Sequence, residues 1–335
     1  MESKGEIKYS CVVDTTYSLA LYLLMQSEEA IRQTAFFIGN AIPQNAVSLL
    51  PNVIKIDNRK ENYLKWKKLK HRINALIRWR FRNKTIMYAQ DHLRYSAHII
   101  GRNKYILLED APNIYLMYET IRFMKPIAPT SFFSKTKDYL LFGPIGRKRL
   151  GTNKQCIDRL VTSTSNIESE LLKNGKYTLV SLNDLWENST DTKKKYIMDM
   201  FEISSDMFEI VKKSDVVIFT QPLMSDCNLT EQEMADIYKP YIEKFCNDGI
   251  VIKPHPRDNF NYNKWFPETY IMKCKAPMQL LSAIGMNFKV AITVCSSAVS
   301  SMPQETKIIW IGTSVNEKIH QVYGNLQCPP NLTKY

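Results

Sequence analysis

Nowhere in its 335 residues does the chain contain Asp-x-Asp, Gly-x-Gly-x-x-Gly or Gly-x-x-x-x-Gly-Lys-Ser/Thr. No cluster of His, Cys and carboxylates has metal-ligand spacing either, so any chemistry read from this sequence is expected to be metal-free. Gly-x-Ser-x-Gly is also missing, which disfavours hydrolysis at a nucleophile elbow. Cysteine is sparse and unpatterned: residues 11, 156, 227, 246, 274, 295 and 328 form no Cys-x-x-Cys pair, and their odd number argues against a disulfide framework. A reducing compartment follows. The longest apolar run near the start, Leu19–Met25, is too short to span a bilayer, follows a charged, strand-like start and has no cleavage site after it. The chain is therefore expected to be cytoplasmic. Internal repeats and low-complexity tracts are absent.

What the sequence has in excess is positive charge, with 45 Lys and Arg against 33 Asp and Glu, a formal net charge of +12. The excess is concentrated in residues 59–84, where Leu64, Leu69, Ile73, Ile77 and Trp79 are interleaved with cations. That pattern predicts a basic amphipathic helix. Three readings compete for it: a solvated face of a core-packed helix, a helix lying on anionic lipid with Trp66, Trp79 and Phe81 at headgroup level, and a nucleic-acid-binding surface. No recognised nucleic-acid motif supports the third, and no nucleic-acid partner is expected.

The rest of the chain alternates short apolar runs with helical patterns. Strands are predicted over Lys8–Val13, Ala35–Ile38, Val53–Ile56, Thr85–Tyr88, Tyr105–Leu108, Ile157–Val161 and Tyr177–Leu182. Helices are predicted between them, including Tyr17–Met25 capped by Thr15 or Thr16, a stretch around 92–100, another around 113–123, and Asp191–Phe201. A second series follows: strand Val216–Phe219, helix Thr230–Phe245 with a Thr230/Glu233 capping box, strands Ile250–Ile252 and Tyr270–Met272, helix Pro277–Ile284, and strands Val290–Val294 and Lys307–Ile311. Such alternation means parallel, doubly wound sheets. The expected architecture is α/β, with two Rossmann-like domains over 1–208 and 209–335 facing each other across a cleft, the GT-B arrangement. Residues 125–151, rich in Pro, Gly, Ser and cations, read as a loop region.

The most informative stretch is Val251–Asp258, because a histidine between two prolines, Pro254 and Pro256, is not an ordinary core position. Proline ends the strand, and an extended continuation would project Lys253, His255 and Arg257 to one side, just past a carboxyl end where α/β sheets bind ligands. Two readings compete for the histidine: an acid beside an anionic leaving group, with Lys253 or Arg257 holding the anion, and a surface turn with a solvated side chain. Ser296 and Ser297 follow the strand Val290–Val294, where hydroxyls and free N–H groups make a phosphate seat or, on the structural reading, simply cap the helix that follows. Two acidic positions qualify as a general base, Glu109-Asp110 after one strand and Asp226 in the loop after another. Each also fits a helix cap.

Asp14-Thr15-Thr16-Tyr17-Ser18-Leu19, the run Leu107–Tyr115, the run Thr220–Asp226, Lys253–Asp258 and the Ser296-Ser297 pair occur in an order that resembles the bacterial lipooligosaccharide sialyltransferases of glycosyltransferase family 52. The likeness spans nearly the whole chain. It implies inverting, metal-independent transfer of sialic acid from CMP-sialic acid to a terminal galactose of a surface glycan, lipooligosaccharide or capsule. His255 would protonate or hydrogen-bond the departing phosphate, Ser296 and Ser297 would bind it, and the base would be Asp226 or Asp110. Lys253, Pro256, Arg257 and Gln279 fall on the nucleotide side, and Asp14, Tyr17 and Glu109 on the acceptor side. Both acidic motifs lack the family's glycine, and Gln279 stands where the family tends to carry a Glu. A homodimer and a peripheral position on the inner membrane face, through 59–84, complete what the resemblance and the charge imply. The competing readings are the same fold with a UDP-hexose donor and a non-catalytic membrane- or polyanion-binding protein.

Overall fold

The computed structural model describes residues 6–56, 85–93, 96–111, 114–115, 131–133, 135, 150–162, 167–326 and 328. The basic stretch 59–84, most of the helix expected at 113–123 and most of the loop 125–151 lie outside them. Two compact units are present, Met1–Met200 and Phe201–Tyr335. Their division comes earlier than the expected 208/209, which would cut a helix, Ser205–Lys212. Phe201 already belongs to the second unit, since its carbonyl accepts the Lys275 amide at 2.9 Å.

Among the described residues the first unit holds a seven-stranded sheet of β1 (Tyr9–Val13), β2 (Thr34–Ile38), β3 (Val53–Lys55), β4 (Ile86–Ala89), β5 (Tyr105–Leu108), β6 (Cys156–Val161) and β7 (Thr178–Leu179). Their order is β3-β2-β1-β4-β5-β6-β7, and every pairing is parallel. β2 is buried at every residue, as a strand covered on both faces must be. The helix Thr16–Met25 starts where the sequence places it, with the Thr15 side chain accepting from the Ser18 amide. It is buried from Tyr17 to Leu24, in keeping with its lack of a polar face. The strand expected over Tyr177–Leu182 shrinks to the two residues of β7, because Ser181 caps a new helix, Leu182–Glu187, by accepting from the Asp184 amide.

The second unit repeats the plan with β8 (Val216–Phe219), β9 (Ile250–Lys253), β10 (Tyr270–Ile271), β11 (Val290–Thr293) and β12 (Lys307–Trp310) in the parallel order β10-β9-β8-β11-β12. Val216, Val217, Ile218 and Phe219 are all at most 2% exposed, so truncating Ile218 to Ala would cost about 2–5 kcal/mol. The Thr230/Glu233 capping box forms as the sequence predicts. In both units strand order reverses once, between β1 and β4 and between β8 and β11. In open parallel sheets, ligands generally bind outside the carboxyl ends of the strands at such a reversal.

Candidate functional site

The second unit's reversal point is built on register. Phe219 of β8 is level with Lys253 of β9 and with Thr293 of β11. The residues that follow therefore leave the sheet at one edge, with Thr220 in the middle, His255 on one flank and Ser296 on the other. Two strand spacings, about 10 Å, separate the flanking chains.

Beyond Pro254 the backbone does not stay extended. The Asp258 amide donates to the His255 carbonyl at 2.8 Å and closes a turn through Pro256 and Arg257. The three cations consequently do not converge. Lys253, at the end of β9, lies in the field of Cys274 and Lys275, and burial pushes its ammonium pKa down. Arg257 swings to Asp226, and Pro256 is exposed at the tip of the turn.

The Arg257 amide donates to His255 Nδ1 at 3.1 Å, so a neutral ring carries its proton on Nε2. Burial first, and the Arg257 charge second, lower the His255 pKa against the opposing pull of Asp258 and Asp226. The ring is thus neutral near pH 7, a donor through Nε2–H.

Asp226 belongs to the helix Leu223–Cys227 and does not cap the helix after it, a task done by Thr230. Its carboxylate receives Arg257 Nη1 at 3.1 Å and Nη2 at 3.0 Å, and the Tyr323 hydroxyl at 2.8 Å. Burial would raise its pKa, but the hydrogen bonds from Tyr323 and Arg257 outweigh it and hold the group below the ordinary carboxylate range. Tyr323 ends the helix Glu317–Tyr323, which the sequence reading did not anticipate.

Ser296 is buried, its amide donating to Thr293 Oγ1 at 2.9 Å and its Oγ accepting from the Ala298 amide at 3.3 Å. It heads a short 3₁₀ helix, Ser297–Ser301. The Ser297 side chain lies outside the described residues. Gln279 sits in the first turn of the helix Met278–Ala283, reached from the carboxyl end of β10.

At the first unit's reversal point Gln90, which sequence reasoning missed, is fully buried and ties the strand ends together. Its Oε1 accepts the Asp14 amide at 2.6 Å, and its Nε2 donates to Thr15 Oγ1 at 3.2 Å and to Asp110 Oδ1. Asp110 Oδ2 lies 3.5 Å from His92 Nε2, with both side chains about a quarter exposed. Asp14 Oδ1 accepts the Ala41 amide at 3.1 Å. Glu109 and Tyr17, expected on the acceptor side, are instead buried against each other. Glu109 Oε2 accepts from the Tyr17 hydroxyl at 2.8 Å and from the amide and hydroxyl of Thr162 at 3.0 and 2.7 Å. They brace the ends of β5 and β6 against the helix Thr16–Met25, with Glu109 fully buried and Tyr17 5% exposed.

All seven cysteines are unpaired, and among the described residues no helix is long and apolar enough to cross a membrane.

An uncharacterized protein of Haemophilus influenzae is 26% identical over 326 residues, covering 96% of this chain and 99% of that one. Among solved structures, the GT-B domain of a sialyltransferase from Photobacterium damselae matches with a TM-score of 0.54 at 12% identity, over 90% of this chain and 89% of that one. An alpha/beta-galactoside alpha-2,3-sialyltransferase from Photobacterium phosphoreum matches with a TM-score of 0.53 at 14% identity, over 98% of both chains. Identities this low speak for the fold alone, which is α/β of the GT-B type, as expected. The family follows from the sequence itself: the model of Glycosyltransferase family 52 matches residues 52–316, and the chain belongs to that family.

Proposed function

We propose that this glycosyltransferase is an inverting sialyltransferase, moving sialic acid from CMP-sialic acid to a terminal galactose hydroxyl of a surface glycan without a metal. The observation that carries this reading is the neutral His255 ring, its Nδ1 engaged by a backbone amide, on the same strand-end edge as Ser296. Transfer of a sialyl group passes through a cation-like sugar and a departing phosphate, so the protein must stabilise that phosphate and take one hydroxyl proton. Protonating Nδ1 would set two N–H groups against each other. His255 therefore serves as an Nε2–H donor to the phosphate oxygen where charge builds, with Ser296 as its companion.

The base is Asp226 rather than Asp110. Asp226 shares the edge with His255 through Arg257, and its lowered pKa keeps it ionised. The cost is weaker basicity, which a late proton transfer tolerates. Arg257, Pro256 and Gln279 border the nucleotide, and Asp14 and Asp110 the acceptor. Residues 59–84 would hold the enzyme at an anionic membrane face beside a lipid-linked acceptor.

Thermal-shift measurements with CMP, CDP, UDP and CMP-sialic acid, paired with a transfer assay on a galactose-terminated acceptor, test the reading. Cytidine nucleotides raise the melting temperature by mass action. His255→Ala costs about 10²- to 10⁴-fold in turnover with the fold intact, and EDTA changes nothing. Stabilisation by UDP alone would transfer the assignment to a UDP-hexose donor. Salt-sensitive vesicle binding with no nucleotide binding would remove the enzyme assignment.

A further inference from the structure

A buried hydroxyl stands between the central strand of the second unit and the loop that bears His255. Thr220 directly follows β8 and is 2% exposed. Its Oγ1 accepts the His255 amide at 3.1 Å and donates to Asp258 Oδ2 at 2.6 Å. The same Asp258 oxygen accepts the Tyr262 hydroxyl at 2.7 Å, and Oδ1 accepts the Phe260 amide at 3.2 Å. The Asp258 amide returns to the His255 carbonyl at 2.8 Å.

A threonine hydroxyl has one proton to give and lone pairs to accept with, and here it spends them on the two ends of a single turn. Its β-branched side chain has few rotamers, so β8 fixes the direction of Oγ1 and Oγ1 fixes the loop. The imidazole itself is braced by the Arg257 amide, which belongs to the same turn and moves with it. Thus the distance of the ring from the sheet is set by a neighbouring strand as well as by its own strand, β9.

We infer that Thr220, acting with Asp258, is a positioning residue for His255 and sets where Nε2 meets the departing phosphate. The inference rests on the role proposed for His255 above. Neither residue needs to touch the donor. Losing the bridge lets the turn shift, and misplacement by about 1 Å can cost on the order of 10²-fold in rate.

Thr220→Val keeps the shape and removes both hydrogen bonds, whereas Thr220→Ser keeps both. The expected result is a kcat lowered about 10- to 100-fold in the Val variant, with KM for CMP-sialic acid nearly unchanged and turnover restored in the Ser variant. Tyr262→Phe is the stability control, because it removes one bond to the same carboxylate while leaving Thr220 bridged to His255. Thr220→Val losing far more turnover than Tyr262→Phe at a comparable drop in melting temperature supports the inference. Equal losses in the two, or a Ser variant no better than Val, would show a merely structural hydroxyl and overturn it. His255→Ala separates the two levels. An inactive His255→Ala beside a fully active Thr220→Val sinks this inference alone, while an active His255→Ala sinks the proposed mechanism along with it.

Discussion

Arg257 grips Asp226 with both terminal nitrogens, one on each carboxylate oxygen, at 3.1 and 3.0 Å. With the Tyr323 hydroxyl as a third donor, the carboxylate joins the helix Leu223–Cys227, the turn carrying His255 and the helix Glu317–Tyr323. Planar two-point pairing of this kind fixes orientation as well as charge.

Arg257→Met should raise the Asp226 pKa toward that of an ordinary carboxylate, since it removes donors that offset the effect of burial. A base works only when unprotonated, so the acid limb of kcat/KM against pH should move upward in the variant. The measurement is the pH profile of glycosyl transfer for both proteins. An unmoved limb would take the base role away from Asp226.

His255 should titrate below the usual histidine value of about 6.5, because burial and then Arg257 disfavour the charged ring. The unfolded chain thus takes up the proton first on acidification. The contribution of the neutral ring to stability is complete above about 6.5 and is lost as pH falls through the lower folded value. Urea midpoints followed from pH 8 downward should decline more steeply in the wild type than in His255→Gln. Nitrogen-15 spectra should show the proton on Nε2.

Gly39→Ala should destabilise the first unit. A β-carbon at this position would stand 1.9 Å from Asp14 Oδ1, so the carboxylate that accepts the Ala41 amide must move. Overpacking of this sort costs about 1–3 kcal/mol. The double variant Gly39→Ala/Asp14→Ala should lose less than the two single changes summed, because the clash is then gone. Additive losses in a denaturant cycle would contradict the packing argument.

The alternation of strand and helix was legible because buried parallel strands must be apolar on both faces, and β5 and β8 stand where the pattern places them. Local chemistry was legible too where it depends on near neighbours, as at the Thr15 cap and the Thr230/Glu233 box. The turn at Pro256-Arg257 was not, since proline at the second position of a tight turn and proline in extended chain look alike in sequence. Nor were Gln90 and Thr220, whose work lies in bonds reaching 76 and 38 residues away. Their one visible trait was a polar residue directly after a strand that ends in buried apolar side chains. Tyr323 escaped notice because its partner, Asp226, is 97 residues distant.

Since main chain rather than side chain satisfies the inner nitrogen of the His255 ring, the tautomer is indifferent to what stands at position 257, with a single exception. Proline has no amide hydrogen to give. Exchanging Arg257 for any other residue leaves the outward-facing proton where it is, whereas proline would free the ring to carry it on either side. The choice of ring nitrogen is thus written in the backbone, while the Arg257 side chain acts on the ring through its charge alone.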